Sequence, residues 1–189
     1  MKIIYIVHGV NENIMKSKKQ KSKEILLKFK KTQTPKELDE NLYQFERQLK
    51  EVDVNYYLKE SENPFIYFIE NDKPEELIKQ LEVNEEYCIL PVICVINNMN
   101  YITSTILRKI RHKLCYKDTF KINCHMDTYC ISQTKESMEN ELTKRLENII
   151  KIENSANNPV WTINLYVVGD ITAINIKNTK NNRISNVWT

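Results

Sequence analysis

The run from Asn158 to Ile176, NPVWTINLYVVGDITAINI, sets the strongest limit on the fold. Trp161, Ile163, Leu165 and Val167 alternate with Thr162, Asn164 and Tyr166, the period of a strand that buries one face. Gly169-Asp170 supplies turn chemistry, and alternation resumes from Ile171 to Ile176, so the segment predicts a hairpin opened by Asn158-Pro159. A lone hairpin is marginal in water and needs further strands or a helix over its apolar face. The preceding 75 or so residues offer two helices and two strands for that purpose.

The 189-residue chain is long enough for one domain or two small ones, and the pattern favours two. Its net charge of +3 is small but segregated: +7 over residues 1–31, −7 over 32–84 and +3 over 85–189. Such segregation fits an electrostatic face for an anionic partner, and equally a solvated helix. No stretch approaches the ~18 apolar residues of a membrane span. MKIIYIVHG lacks a small-residue cleavage site, so it reads as a first strand and not a signal peptide. Five cysteines, an odd number, fit free thiols of a reducing compartment; the expectation is a cytoplasmic protein. With only two glycines, the chain has no glycine-rich phosphate loop of the Rossmann or Walker kind.

In chain order, Lys2–His8 reads as a strand and Asn11–Lys31 as a helix whose apolar side is Ile14, Ile25, Leu26 and Phe29. Its middle, KSKKQKSK, makes Lys16, Lys18 and Lys19 either a solvated turn or part of a polybasic arm. Thr34 and Pro35 open a second helix carrying Leu38, Leu42, Phe45 and Leu49. Strands follow at Val52–Leu58 and Phe65–Glu70, then a short helix behind Asp72 and Pro74. This β-α-α-β-β-α order over residues 1–84 is a small α+β unit, one strand short of a regular ferredoxin-like fold.

VNEE marks the boundary. Tyr87–Ile96, YCILPVICVI, is apolar on both faces, as in a covered strand. Asn100 can cap a helix from Tyr101 to Cys115 with Ile102, Ile106, Ile110 and Leu114 in an i, i+4 stripe. Arg108, Lys109, Arg111, His112 and Lys113 crowd the end of that helix. They suit the negative pole of the helix dipole, and they also suit phosphate. Thr119–His125 is a strand with Phe120, Ile122 and Cys124 on one side and Lys121, Asn123 and His125 on the other. Ser137–Lys151 is a helix with Met138, Leu142, Leu146 and Ile149 inward. The polar tail ends in Ile184, Val187 and Trp188.

Cys115, Cys124, His125 and Cys130 form a loose group that fits no zinc template, since no CxxC spacing occurs and alternation points Cys124 and His125 apart. Cys88 and Cys94 read as small buried hydrophobes. No nucleophile lies in a recognisable local signature with a histidine, so neither a catalytic centre, a metal site nor a cofactor site is expected.

The order of these elements resembles a THUMP domain over about residues 85–178. A Pro-bearing strand, a helix, a Phe-bearing strand after Thr, a second helix and an Asn-Pro hairpin are marked here by Pro91, Phe120, Asn158 and Pro159. Where relatives follow the Phe strand with Arg or Lys and then Asn, this chain has His125, Met126 and Asp127. The sequence looks most like the THUMP proteins without a catalytic domain that assist an acetyltransferase in forming acetylcytidine in tRNA, and its stopping just after the hairpin agrees with that branch.

The resemblance implies an α+β protein: a ferredoxin-like unit at 1–84, then a THUMP domain of helices packed on a mixed β-sheet at 85–189. It implies a non-catalytic tRNA-binding adaptor serving an RNA cytidine acetyltransferase. Candidate RNA-binding residues are Arg108, Lys109, Arg111, Lys113, Lys121, His125, Lys16, Lys18 and Lys19. Two rival readings stay open: an RNA-modification enzyme with a dispersed active site, and a protein-interaction scaffold whose cationic helix meets an acidic partner.

Overall fold

A computed structural model describes residues 23–52, 56–82, 84–126 and 134–180. The strand expected at Lys2–His8, the lysines at 16, 18 and 19, Asp127, Cys130 and the apolar tail residues Ile184, Val187 and Trp188 lie outside them. The architecture is α+β, and the chain divides into two compact units between Ile93 and Cys94.

The first unit runs β1 (Lys23–Phe29), α1 (Pro35–Val52), β2 (Tyr57–Glu60), β3 (Ile66–Glu70), α2 (Pro74–Gln80) and β4, which starts at Tyr87 and ends at Ile96 beyond the division. β1 pairs antiparallel with both β3 and β4, and β3 with β2, giving the order β2-β3-β1-β4. This is the ferredoxin-like βαββαβ arrangement. The strand that the N-terminal unit lacked in the sequence reading is therefore Tyr87–Ile93, whose Pro91 registers with Ile25.

A correction falls on residues 23–29, read as the end of a helix but folded as a strand. Ile25, Leu26 and Leu27 are all buried, so both faces of β1 are covered and no period-two signal survives. A short continuous apolar run cannot be told from a buried helix by periodicity. The second helix starts as expected: the Glu37 N–H donates to Thr34 Oγ1 (3.3 Å), and the Gln33 N–H to Glu37 Oε2 (3.0 Å). Leu38, Phe45 and Leu49 of α1 join Ile25, Leu27, Phe29, Tyr67 and Ile69 in one core, where Phe29 meets Phe45, Tyr67 and Tyr87 edge-on. Val52 ends α1, so the next strand begins at Tyr57, later than expected.

The second unit continues with α3 (Met99–Ile110), β5 (Thr119–Met126), α4 (Lys135–Ile150), the two-residue β6 (Glu153–Asn154), β7 (Trp161–Val168) and β8 (Ile171–Asn178). β5 lies parallel to β7 and β6, while β7 and β8 form the antiparallel hairpin, so the pairing is mixed. Val168 registers with Ile171 across Gly169, whose φ of 54° suits the first central position of a two-residue hairpin turn. One core holds Ile102, Ile106 and Ile110 of α3, Met138, Leu142 and Leu146 of α4, Phe120, Ile122 and Cys124 of β5, and Trp161, Ile163, Leu165, Val167 and Ile174 of the hairpin. Burial of its six largest aliphatic and aromatic side chains supplies on the order of 10 kcal/mol at about 1.5 to 3 kcal/mol each.

Three local expectations shift. Asn98, not Asn100, caps α3, accepting from the Asn100 N–H at 2.9 Å. The helix ends at Ile110, not Cys115. Ile149 is 56% exposed, because α4 buries the 138, 142, 146 row and Ile150 extends that row.

Candidate nucleic-acid interface

The end of α3 and the loop after it read RKIRHKLCYK over residues 108–117, with five lysines and arginines and no acid. The buried stripe at 102, 106 and 110 fixes which side of α3 faces the core, so Arg108 and Lys109 are exposed. Arg108 folds back along the helix, donating from Nε to the Ser104 carbonyl and from Nη2 to Thr105 Oγ1, both at 3.3 Å. Two of its five donors are engaged in this way. The Arg111 N–H still reaches the Leu107 carbonyl (3.0 Å), the Lys113 N–H reaches Ile110 (2.8 Å), and Arg111 Nε donates to His112 Nε2 (3.0 Å). Arg111, His112 and Lys113 are all exposed. Among the described residues, none of Arg108, Lys109, Arg111 or Lys113 has a carboxylate within ion-pair distance.

The loop closes in a tight turn from Cys115 to Asp118. The Asp118 N–H donates to the Cys115 carbonyl (3.0 Å), and the Cys115 N–H donates to Asp118 Oδ2 (3.1 Å). Lys117 holds φ of 72° in its third position, where such turns usually place glycine; a side chain there costs about 1 kcal/mol or more. Tyr116 at the second position is 93% exposed, and the Lys117 ammonium lies 5.8 Å from its ring centre.

Asp118 itself is only 3% exposed. Oδ2 also accepts from the Trp161 indole N–H at 2.9 Å, and Oδ1 accepts from Lys180. Burial pushes its pKa up, but the hydrogen bonds from Lys180, Trp161 and the Cys115 N–H, with the Lys180 charge, outweigh that and hold it below its ordinary value. One carboxylate thus ties the cationic loop to the start of β7 and to the residues after β8.

Lys121 and His125 stand elsewhere. Phe120, Ile122 and Cys124 face the helices, so strand alternation turns Lys121, Asn123 and His125 to the opposite face. There Lys121, Thr162 and Lys177 form one cross-strand row, and Asn123, Asn164 and Asn175 a second, linked by amide hydrogen bonds of 3.0 and 3.2 Å. The third pairs His125 with Tyr166, rings stacked at 4.6 Å and 12°. The structure therefore brings Arg108, Lys109, Arg111 and Lys113 together and sets Lys121 and His125 on another surface. Lys16, Lys18 and Lys19 lie outside the described residues. Sequence reasoning missed Tyr116, Lys117 and Asp118. The signal available was a single tyrosine beside Lys117 and three residues after Lys113, in a segment without periodicity.

Cys124 is buried against Met138, and burial with the nearby Glu139 pushes its thiol up to about 12. Cys88 is exposed and Cys94 half-buried, which corrects the expectation that both are core residues. Both lie in β4, whose uniformly apolar sequence gives no hint of which face is covered. Among the described residues no group of three His, Cys, Asp or Glu could hold a metal ion, and no helix is long and apolar enough to cross a membrane.

No family model and no curated protein matches the chain. Solved structures do. PH1313 from Pyrococcus horikoshii superposes with a TM-score of 0.65 at 15% identity, over 82% of this chain and 54% of that one. A 4-thiouridine synthetase in complex with RNA and bound ATP gives 0.61 at 14% identity, over 82% of this chain and 41% of that one. The fold is similar to that of THUMP-domain structures. The chain spans about half, or less, of the length of these structures.

Proposed function

We propose that this chain is a tRNA-binding module of the RNA-modification machinery, which presents tRNA to a separate enzyme. The observation that carries the reading is the exposed cationic end of α3, whose side chains among the described residues are not neutralised by carboxylates. A structurally similar protein is a 4-thiouridine synthetase in complex with RNA, which supports nucleic acid as the anion. Structured RNA is bound largely through shape and backbone, so a small net charge is enough if it is concentrated on one surface.

The partner favoured by the resemblance of residues 85–178 is an RNA cytidine acetyltransferase, with the chain contributing tRNA affinity and not chemistry. Phosphate neutralisation releases counterions, so affinity falls by roughly 0.9 logarithmic units per contact for each tenfold rise in salt. Three such contacts account for about a 40-fold loss between 50 and 200 mM salt. A tRNA gel-shift titration at several salt concentrations tests the binding reading. Substituting Arg108, Lys109 and Lys113 together by Ala is expected to weaken all tRNAs by a similar factor; binding equal to wild type removes this surface from the account. Addition of the chain to an RNA cytidine acetyltransferase is expected to raise acetylcytidine formation in tRNA, and no increase overturns the choice of partner.

A further inference from the structure

The cationic loop carries a feature that charge alone does not use. Tyr116 projects from the tip of the Cys115–Asp118 turn with 93% of its surface exposed, far more than packing or a half-buried surface position requires. The backbone beneath it is held from two sides: the turn is closed by the Asp118 N–H, and the buried Asp118 carboxylate grips the Cys115 N–H while anchored by Trp161 and Lys180. A non-glycine residue at positive φ follows directly. A strained backbone persists only where its surroundings over-determine it, and such positions cluster at binding sites. Here the constrained turn carries an aromatic ring out into water, with the Lys117 ammonium 5.8 Å from its centre and Lys113 three residues before it in the chain.

We infer that Tyr116 is a stacking finger for an unpaired RNA base, with Lys117 and the 108–113 cations holding the flanking phosphates. The inference rests on the RNA-binding reading above and extends it to the class of nucleotide engaged. An aromatic face accepts any base, and a ring carried on a fixed backbone has only its two side-chain torsions to order on stacking. A paired base in an A-form helix offers no free face, so the finger selects loops, bulges or single-stranded ends. Aromatic interleaving within a basic segment is the pattern that single-strand binders use.

The test compares wild type, Tyr116→Ala and Tyr116→Phe on two RNA probes of matched charge: a hairpin with a single-stranded 3′ extension and a blunt duplex. Tyr116→Ala is expected to weaken the extended probe by about 5- to 150-fold, the range that one base–aromatic stack supplies. Its salt dependence stays that of wild type, because no charge is removed. Tyr116→Phe retains the affinity of wild type, and the blunt duplex is bound alike by all three proteins. Tyr116→Ala binding the extended probe as wild type does, while the Arg108, Lys109 and Lys113 substitutions still weaken it, overturns the finger and leaves the RNA reading standing. Failure of wild type to bind either probe overturns both. A Tyr116→Ala loss shared equally by the blunt duplex overturns the selectivity for unpaired bases.

Discussion

α3 and α4 bury the same kind of stripe into one core, Ile102, Ile106 and Ile110 from one and Met138, Leu142 and Leu146 from the other, and differ in where their charge goes. On α4 acids and bases are interleaved, and Lys135, Glu139, Glu141, Arg145 and Glu147 engage one another or the rest of the protein. Arg145 bonds Glu141 at 2.7 Å and reaches Asn100 at 2.7 Å, Lys135 lies 3.9 Å from Glu139, and Glu139 accepts the Cys124 N–H at 2.6 Å. Glu147 accepts the Asn154 N–H at 3.1 Å. On α3 there is no acid, and the cations gather at the last turn and beyond it. The difference teaches that a charged helix face cannot be judged from its cations alone. The same residue types serve structure when carboxylates are interleaved and remain available to an external anion when they are not.

The largest expected effect tests what the two helices share. Phe120 lies fully buried in the core that both cover, so Phe120→Ala is expected to cost about 3 to 5 kcal/mol in equilibrium unfolding. A cost below about 1 kcal/mol breaks the common core on which the comparison stands.

Acid separates the two helix ends. α4 closes on Lys151 in the left-handed region, whereas the loop after α3 depends on the Asp118 carboxylate. The folded pKa of Asp118 lies below its unfolded value, so its stabilisation is fully present above the ordinary carboxylate range and is lost as pH falls through the depressed folded value. Unfolding curves for wild type and Asp118→Asn are expected to differ at neutral pH and to converge in acid. A difference that persists unchanged to low pH contradicts the ion pair with Lys180.

The smallest effect belongs to α4. Arg145→Ala removes a half-exposed pair and a clip to α3, and is expected to cost up to about 1 kcal/mol. tRNA affinity is expected to stay that of wild type; a loss comparable to that from α3 erases the distinction.

Legibility in the sequence followed the same physical lines. β5 and α4 carry clean periods because each has one buried face, and β7 because its second row is polar in sequence although Asn164 in that row is also buried; these elements appear where the pattern placed them. β1 was unreadable as a strand because Ile25, Leu26 and Leu27 are all buried, and residues 87–93 were assigned forward in the chain although they pair with β1. Register partners as far apart in the chain as Ile25 and Pro91 leave no local trace. For the candidate surface, the charge run was visible, but its division was not. Alternation put Lys121 and His125 on one side of β5, and only the packing of α3 showed that this is the side away from Arg108 and Lys109. Tyr116 was invisible because exposure in a turn has no sequence period.

The central claim is that the exposed cations at the end of α3, which have no carboxylate partner among the described residues, and not the ion-paired charges of α4, meet RNA. The direct measurement is the slope of tRNA affinity against salt for three proteins: wild type, Arg108/Lys109/Lys113→Ala and Lys135/Arg145→Ala, the last removing the two ion-paired bases of α4. The account predicts a slope flatter by about two to three units for the α3 variant and unchanged for the α4 variant. Equal flattening by both, or none by the α3 variant, contradicts it.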